Sequence, residues 1–265
     1  MKTLLAALNA KYVHSSLSVR CIKKFCSEFD IIVKEYTIND NTDAVISDIF
    51  EKNTDIAAFS CYIWNIEKVL YICECLKKAR NDIIIILGGL EVSYDSYELM
   101  QKYEFIDFII SGEGERAFGA LLQALEDGSG LECVPSLTYR SGGEVLQNKK
   151  LDMGDINSYP FVYDNAGEIK NKIVYYESSR GCPYNCSYCL SGEGSRVSFL
   201  EAERVKKELM FFIGNNIPLV KFVDRTFNAD KKRADEIFEF IIENSKNTKF
   251  HFELAGDLIT DSAIN

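Results

Sequence analysis

At 265 residues, 47% of them hydrophobic and 26% charged, the chain can bury one large core or two ordinary ones, and it carries no disordered arm or low-complexity tract. Its net charge of −10 argues against nucleic-acid and anionic-membrane partners. No apolar run approaches the ~18–20 residues that span a bilayer. The short run from Leu4 to Leu8, closely followed by Lys11 and His14, reads as a first buried strand rather than a signal peptide, so a cytoplasmic location is expected.

Apolar runs at 3–8, 31–36, 56–60, 83–87 and 108–110 alternate with helical periodicity at 15–28, 42–51, 66–80, 96–102 and 117–126. Near-continuous β-branched runs between helices belong to strands buried on both faces. Residues 1–130 are therefore predicted to form an α/β domain with a doubly wound, flavodoxin- or Rossmann-like parallel sheet of order 2-1-3-4-5. In such sheets ligands sit beyond the carboxyl ends of the strands. The residues there are Asn9 after the first run, Tyr62 and Trp64 after the third, Gly88, Gly89 and Glu91 after the fourth, and Gly112, Glu113 and Gly114 after the fifth. Each alone also fits a plain role, a glycine in a turn or a tryptophan packing at a helix start. Three such loops at one sheet edge point instead to a ligand mouth. Neither G-x-G-x-x-G nor G-x-x-x-x-G-K-[ST] follows a strand, so the expected ligand is larger than a dinucleotide phosphate.

Residues 131–170 break the rhythm and read as a linker. Within them SLTYRSGGEVLQN, 136–148, alternates apolar and polar residues about Ser141-Gly142-Gly143, which predicts a hairpin. Residues 171–265 then resume the alternation with a strand at 172–179, a helix at 201–213, a strand at 219–223, a loop at 224–228, a helix at 231–244 and a strand at 249–254. This βαβαβ pattern predicts part of a barrel with functional groups at its strand ends.

Six of the nine cysteines, Cys21, Cys26, Cys61, Cys73, Cys75 and Cys133, lie in apolar surroundings and read as small buried hydrophobes in a reducing compartment. Cys73 and Cys75, two positions apart, point to different sides of a helix and make a poor metal pair. Cys182, Cys186 and Cys189 are different, because they follow the 172–179 strand in R-G-C-P-Y-N-C-S-Y-C. Thiolates suit zinc, copper(I) or iron–sulfur clusters. Structural zinc wants a fourth ligand, and His251 sits two elements away. A 4Fe-4S cluster can be held by three cysteines with one iron left open. The cluster is the favoured reading and zinc the alternative.

C-P-Y-N-C-S-Y-C after a strand and an Arg-Gly pair resembles the signature of the radical S-adenosylmethionine superfamily, whose third cysteine follows an aromatic residue, here Tyr188. The resemblance implies that Cys182, Cys186 and Cys189 hold a 4Fe-4S cluster and that S-adenosylmethionine chelates its open iron. One electron then splits the sulfonium to a 5′-deoxyadenosyl radical. It further implies Tyr188 beside the adenine, Asp224 and Asn228 in the loop near the methionyl amine, and Glu253 toward ribose or substrate. The familiar Gly-Gly-Glu is absent from that loop. Asp224 and Asn228 also fit helix capping, and Glu253 a lysine partner.

The loops Ser-x-Tyr-x-Trp-Asn, Gly-Gly-x-Glu and Gly-Glu-Gly-Glu ahead of a hairpin and the cysteine loop are similar to radical enzymes with an N-terminal cobalamin-binding domain, over nearly the whole chain. This resemblance implies a corrinoid over the strand ends, often as a methyl carrier. Cobalt-ligating domains carry Asp-x-His-x-x-Gly, whereas Tyr12-Val13-His14-Ser15-Ser16-Leu17 has neither the Asp nor the Gly, so His14 reads as a helix-start residue rather than an axial ligand. Lys170 to Asn265 holds fewer strands than the family's barrel, and a fragment of a longer enzyme is expected. The implied activity is methyl transfer or rearrangement on a small molecule or peptide, fed by a reducing partner such as flavodoxin or ferredoxin. The alternatives are a cobalamin-independent radical oxidoreductase and a non-catalytic zinc or iron–sulfur module.

Overall fold

The computed structural model describes residues 1–152, 154–189 and 196–259. The last residues of the predicted barrel segment, 260–265, lie outside this range. The chain divides into two compact units, Met1–Tyr12 with Ser18–Met153 and Val13–Leu17 with Gly154–Asn265.

In the first unit β1 (Thr3–Asn9), α1 (Leu17–Phe25), β2 (Ile31–Thr37), α2 (Thr42–Glu51), β3 (Ile56–Ser60), α3 (Ile66–Ala79) and β4 (Ile84–Gly88) alternate as the apolar runs imply. They continue through α4 (Leu90–Ser93), α5 (Ser96–Lys102), β5 (Phe108–Ile110), α6 (Gly114–Asp127), β6 (Leu137–Ser141) and β7 (Glu144–Gln147). The sheet order is β2-β1-β3-β4-β5-β6-β7. β1 to β5 are parallel, and β6 and β7 are antiparallel to their neighbours. The predicted 2-1-3-4-5 order is therefore present, and the predicted hairpin extends the same sheet, with Phe108 opposite Tyr139.

Successive β1 side chains explain the unbroken apolar run. Leu4, Ala6 and Leu8 enter one core with Val45 and Ile49 of α2 and Ile72 and Leu76 of α3. Leu5 and Ala7 enter a second core on the other face with Val19 of α1 and Phe118 and Leu121 of α6. A strand sandwiched between helices has no face left for polar residues. Each fully buried Leu or Ile contributes roughly 1.5–3 kcal/mol. Cys26, Cys61 and Cys73 belong to these cores as expected. Cys21 and Cys75 are only half-buried, and Cys133 is exposed on the short helical turn Leu131–Cys133 that leads to the hairpin, so the buried reading fails for those three.

The second unit contains β8 (Val174–Tyr176), β9 (Ser179–Gly181), β10 (Val197–Phe199), α7 (Ala202–Gly214), β11 (Leu219–Phe222), α8 (Lys231–Asn244) and β12 (Lys249–His251). β8, β11 and β12 form a parallel sheet of order β12-β11-β8, while β9 and β10 pair antiparallel in a separate ribbon. Its core is aromatic. Phe212 of α7 meets Tyr163 and Tyr176 edge to face, and Phe222 meets Tyr176, Phe227 and Phe252. Tyr176 donates to the buried carboxylate of Glu208 at 2.7 Å, and Arg204 closes the group by donating to Glu208 and to the carbonyls of Asn157 and Tyr159.

Candidate cofactor sites

The mouth of the first unit forms where β1, β3, β4 and β5 end. Gly89 has φ +111°, and a Cβ there would lie 2.9 Å from the Cys61 nitrogen and closer still to its carbonyl oxygen. Only glycine fits this crossing of the β3 and β4 loops. Cys61 N–H donates to Gly88 O at 2.7 Å, and Glu91 N–H reaches Cys61 O. Burial pushes the Cys61 thiol up to about 12, so it stays protonated and acts as packing.

Asn65, also buried, ties the rim together. Its amide donates to Leu8 O and Ser60 O and accepts from Tyr62 N–H. Trp64 donates from Nε1 to Leu8 O at 3.4 Å and stacks on Tyr62 with ring centroids 4.5 Å apart, while remaining 47% exposed. Asn9 donates to Glu35, which also accepts from Arg20. Gly112 N–H donates to Ser93 Oγ, whose hydroxyl donates to Gly89 O. The structure thus brings Tyr62, Gly88, Gly89, Gly112 and Gly114 to one cavity of about 190 Å³, which Leu5, Ile22, Ile86 and Phe118 also line. Glu91 is exposed nearby, and Glu113 stands just before α6. Ser60, the first residue of the Ser-x-Tyr-x-Trp-Asn loop, lines the same cavity and bonds Ser18 at 3.1 Å, while motif reading passed over Ser18 and Ser93, which line it too.

This cavity is smaller than the 300–1,000 Å³ of pockets that enclose a whole small molecule. Its mostly apolar lining suits one flat heteroaromatic group, with the remainder of a larger ligand resting on the exposed rim. A cobalamin, a macrocycle with an aromatic base on a flexible tail, fits that division.

In the second unit Cys182, Cys186 and Cys189 follow β9 on one loop. Cys182 is half-buried, and Cys186 and Cys189 are exposed. Cys189 N–H donates to Cys186 O at 3.0 Å. Gly181 enters the loop at φ +94°. The loop is held at two points, by Thr226 Oγ1 at 3.5 Å from Cys182 Sγ and by Tyr184 OH, which donates to both Asp257 carboxylate oxygens at 3.1 Å. Three thiolates on one loop can reach three corners of a multi-iron cluster and leave its fourth iron open. The donor set fits a cluster.

Tyr188 is 88% exposed beside Cys189, and Glu253 is exposed beyond the end of β12. Asp224 and Asn228 face inward. Asp224, 0% exposed, accepts from Ser178 N–H at 3.1 Å, Ser178 Oγ at 2.7 Å and Ser179 Oγ at 2.6 Å. Burial raises its carboxyl above the ordinary value against these donors. Asn228 donates to Ala255 O and accepts from Ala255 N–H, both at 2.9 Å. His14 lies within 2.6 Å of Tyr175 OH through Nδ1 and bridges to Ile173, all within the second unit.

A doubly wound sheet with a glycine-lined mouth, joined to a parallel βαβαβ unit bearing three thiols at a strand end, defines a two-unit α/β protein. Residues 3–122 match the B12 binding domain family. The chain is 28% identical over 187 residues to the cobalamin-dependent radical SAM methyltransferase TokK of Streptomyces tokunonensis, covering 65% of this chain and 28% of that protein. It is 28% identical over 223 residues to an uncharacterized methyltransferase of Pyrococcus horikoshii, covering 79% and 48%. The solved structure of the cobalamin-dependent S-adenosylmethionine radical enzyme OxsB, with aqua-cobalamin and S-adenosylmethionine bound, superposes with a TM-score of 0.78 at 20% identity over 94% of this chain and 38% of that one. The chain thus spans less than half the length of these proteins. The likeness to OxsB shows a shared fold, the doubly wound sheet and the three-stranded parallel unit that the alternation of runs predicts. No helix among the described residues is long and apolar enough to cross a membrane.

Proposed function

We propose that this chain is the cofactor-binding part of a cobalamin-dependent radical S-adenosylmethionine enzyme that transfers a methyl group to a small molecule or peptide. The observation that carries the reading is the three-thiol loop leaving β9, in a chain whose other unit matches a B12 binding domain. Cys182, Cys186 and Cys189 hold the 4Fe-4S cluster. Tyr188 and Glu253, both exposed, are available to the adenine and ribose of S-adenosylmethionine. Asp224 and Asn228 are spent on Ser178, Ser179 and Ala255, so their role is to support the loops around the cofactor. Asn9, Tyr62, Trp64, Gly88, Gly89, Glu91, Gly112, Glu113 and Gly114 form the corrinoid mouth, with the apolar cavity for its tail base. When bound, the cluster and S-adenosylmethionine supply a 5′-deoxyadenosyl radical, and cobalamin carries the methyl group. All nine cysteines are free thiols, in keeping with a reducing cytoplasm where flavodoxin or ferredoxin donates the electron.

Anaerobic reconstitution with iron, sulfide and hydroxocobalamin tests this. The chain is expected to retain corrinoid absorbance and about four irons. The paramagnetic signal of its reduced cluster should change when S-adenosylmethionine is added. Cys186→Ala should lose iron and signal while keeping the corrinoid. Tightly bound zinc, or a cluster whose spectrum ignores S-adenosylmethionine, would refute the proposal.

A further inference from the structure

The segment between β11 and α8 grips the cysteine loop from below. Asp224 holds Ser178, which leads into β9, and Ser179, its first residue. Arg233, stacked over Phe199 and Phe227, donates to Ser178 O and Leu200 O and so fixes Ser178 from the opposite side. Phe227 N–H donates to Glu253 O, and Ala229 N–H to Thr226 O, which leaves little freedom to the turn that carries Thr226. Thr226 is 5% exposed, and among the described residues the sole hydrogen-bond partner of its hydroxyl is Cys182 Sγ at 3.5 Å.

We propose that Thr226 is a positioning residue that tunes the reduction potential of the cluster; this rests on the reading of Cys182 as a cluster ligand. A metal-bound thiolate has no proton to give, so the hydroxyl, which rotates freely to suit its partner, must be the donor. Donation to a ligand sulfur offsets negative charge there. The reduced cluster carries one more electron than the oxidised one, gains more from the bond, and forms at a higher potential. Burial of Thr226 keeps water from competing for its hydroxyl and strengthens the effect.

The test compares Thr226→Val, which keeps the shape and removes the donor, with Thr226→Ser, which keeps the donor. Each is reconstituted anaerobically, assayed for iron and sulfide, and titrated with a low-potential reductant while the reduced cluster is followed by EPR. Thr226→Val should load iron like the unaltered chain and show on the order of tenfold less reduced cluster at a fixed solution potential, about 59 mV for one electron. Thr226→Ser should stay near the unaltered value. Thr226→Ala removes the same donor and should shift the same way if valine is poorly accommodated. A fully loaded Val or Ala variant at the original potential overturns the hydrogen bond alone. An unaltered chain that takes up no iron overturns the cluster reading and this proposal with it.

Discussion

Gly89 is the residue on which the first site turns. Its positive φ and its approach to the Cys61 backbone leave no room for a Cβ. Gly89→Ala should strain the crossing of the two loops by about 1–3 kcal/mol and misplace the rim around the cavity. The expected outcome is corrinoid retention on gel filtration reduced at least ~tenfold, with the iron content of the reconstituted chain unchanged. Undiminished retention would mean that this rim does not hold the corrinoid. Gly88-Gly89 was legible in the sequence because a glycine pair directly closes an apolar run. The cysteines were legible for the same local reason. Thr226 was not, since it meets Cys182 across 44 positions and no short motif spans that distance. The inward turn of Asp224 was hidden too, because an aspartate after a strand looks alike whether it faces a ligand or a pair of buried serines.

At the scale of elements, the long apolar strands and their helices could be read from periodicity, and the short ribbon could not. The run at 172–179 predicts one strand, yet the chain forms β8 and then β9, because Asp224 draws Ser178 and Ser179 out of the parallel register. β12 likewise ends at His251, short of the predicted 254, where Glu253 O is given to Phe227 N–H. Three-residue strands such as β9 and β10 carry too few side chains for a period to show. The packing of α2 on β2 yields a pH prediction. Lys52, just past the end of α2, with Tyr36 and Lys34 on β2, holds the Asp48 carboxyl well below the usual carboxylate range. A depressed pKa means that the unfolded chain takes up the proton first as pH falls. The stabilisation is complete above the ordinary carboxylate pKa and disappears as acid protonates the folded form. The site is about one-third exposed and screened, so Asp48→Asn should cost about 1 kcal/mol or less at pH 7. Urea melts should show the gap between variant and unaltered chain closing at pH values below about 4. A gap independent of pH would show that the pair contributes nothing through charge.

For the molecule as a whole, the two units have separate interiors, aliphatic around the seven-stranded sheet and aromatic around the three-stranded one. Both were visible in the sequence as two βαβ rhythms, and the hairpin between them signalled the change without revealing that it extends the first sheet. The distribution of the thiols also gives the molecule a chemical footprint. Cys26 and Cys61 are buried with their thiols pushed up to about 12, and Cys73 is buried and shifted the same way, so all three are poor nucleophiles at neutral pH. Cys133, Cys186 and Cys189 stand in solvent. Brief alkylation of the native, iron-free chain should therefore mark these three first, as peptide mass spectrometry would read. After iron and sulfide are supplied, the label should shrink to Cys133, a resident reference that no cofactor covers; persistent marking of Cys186 and Cys189 would deny them any part in holding iron.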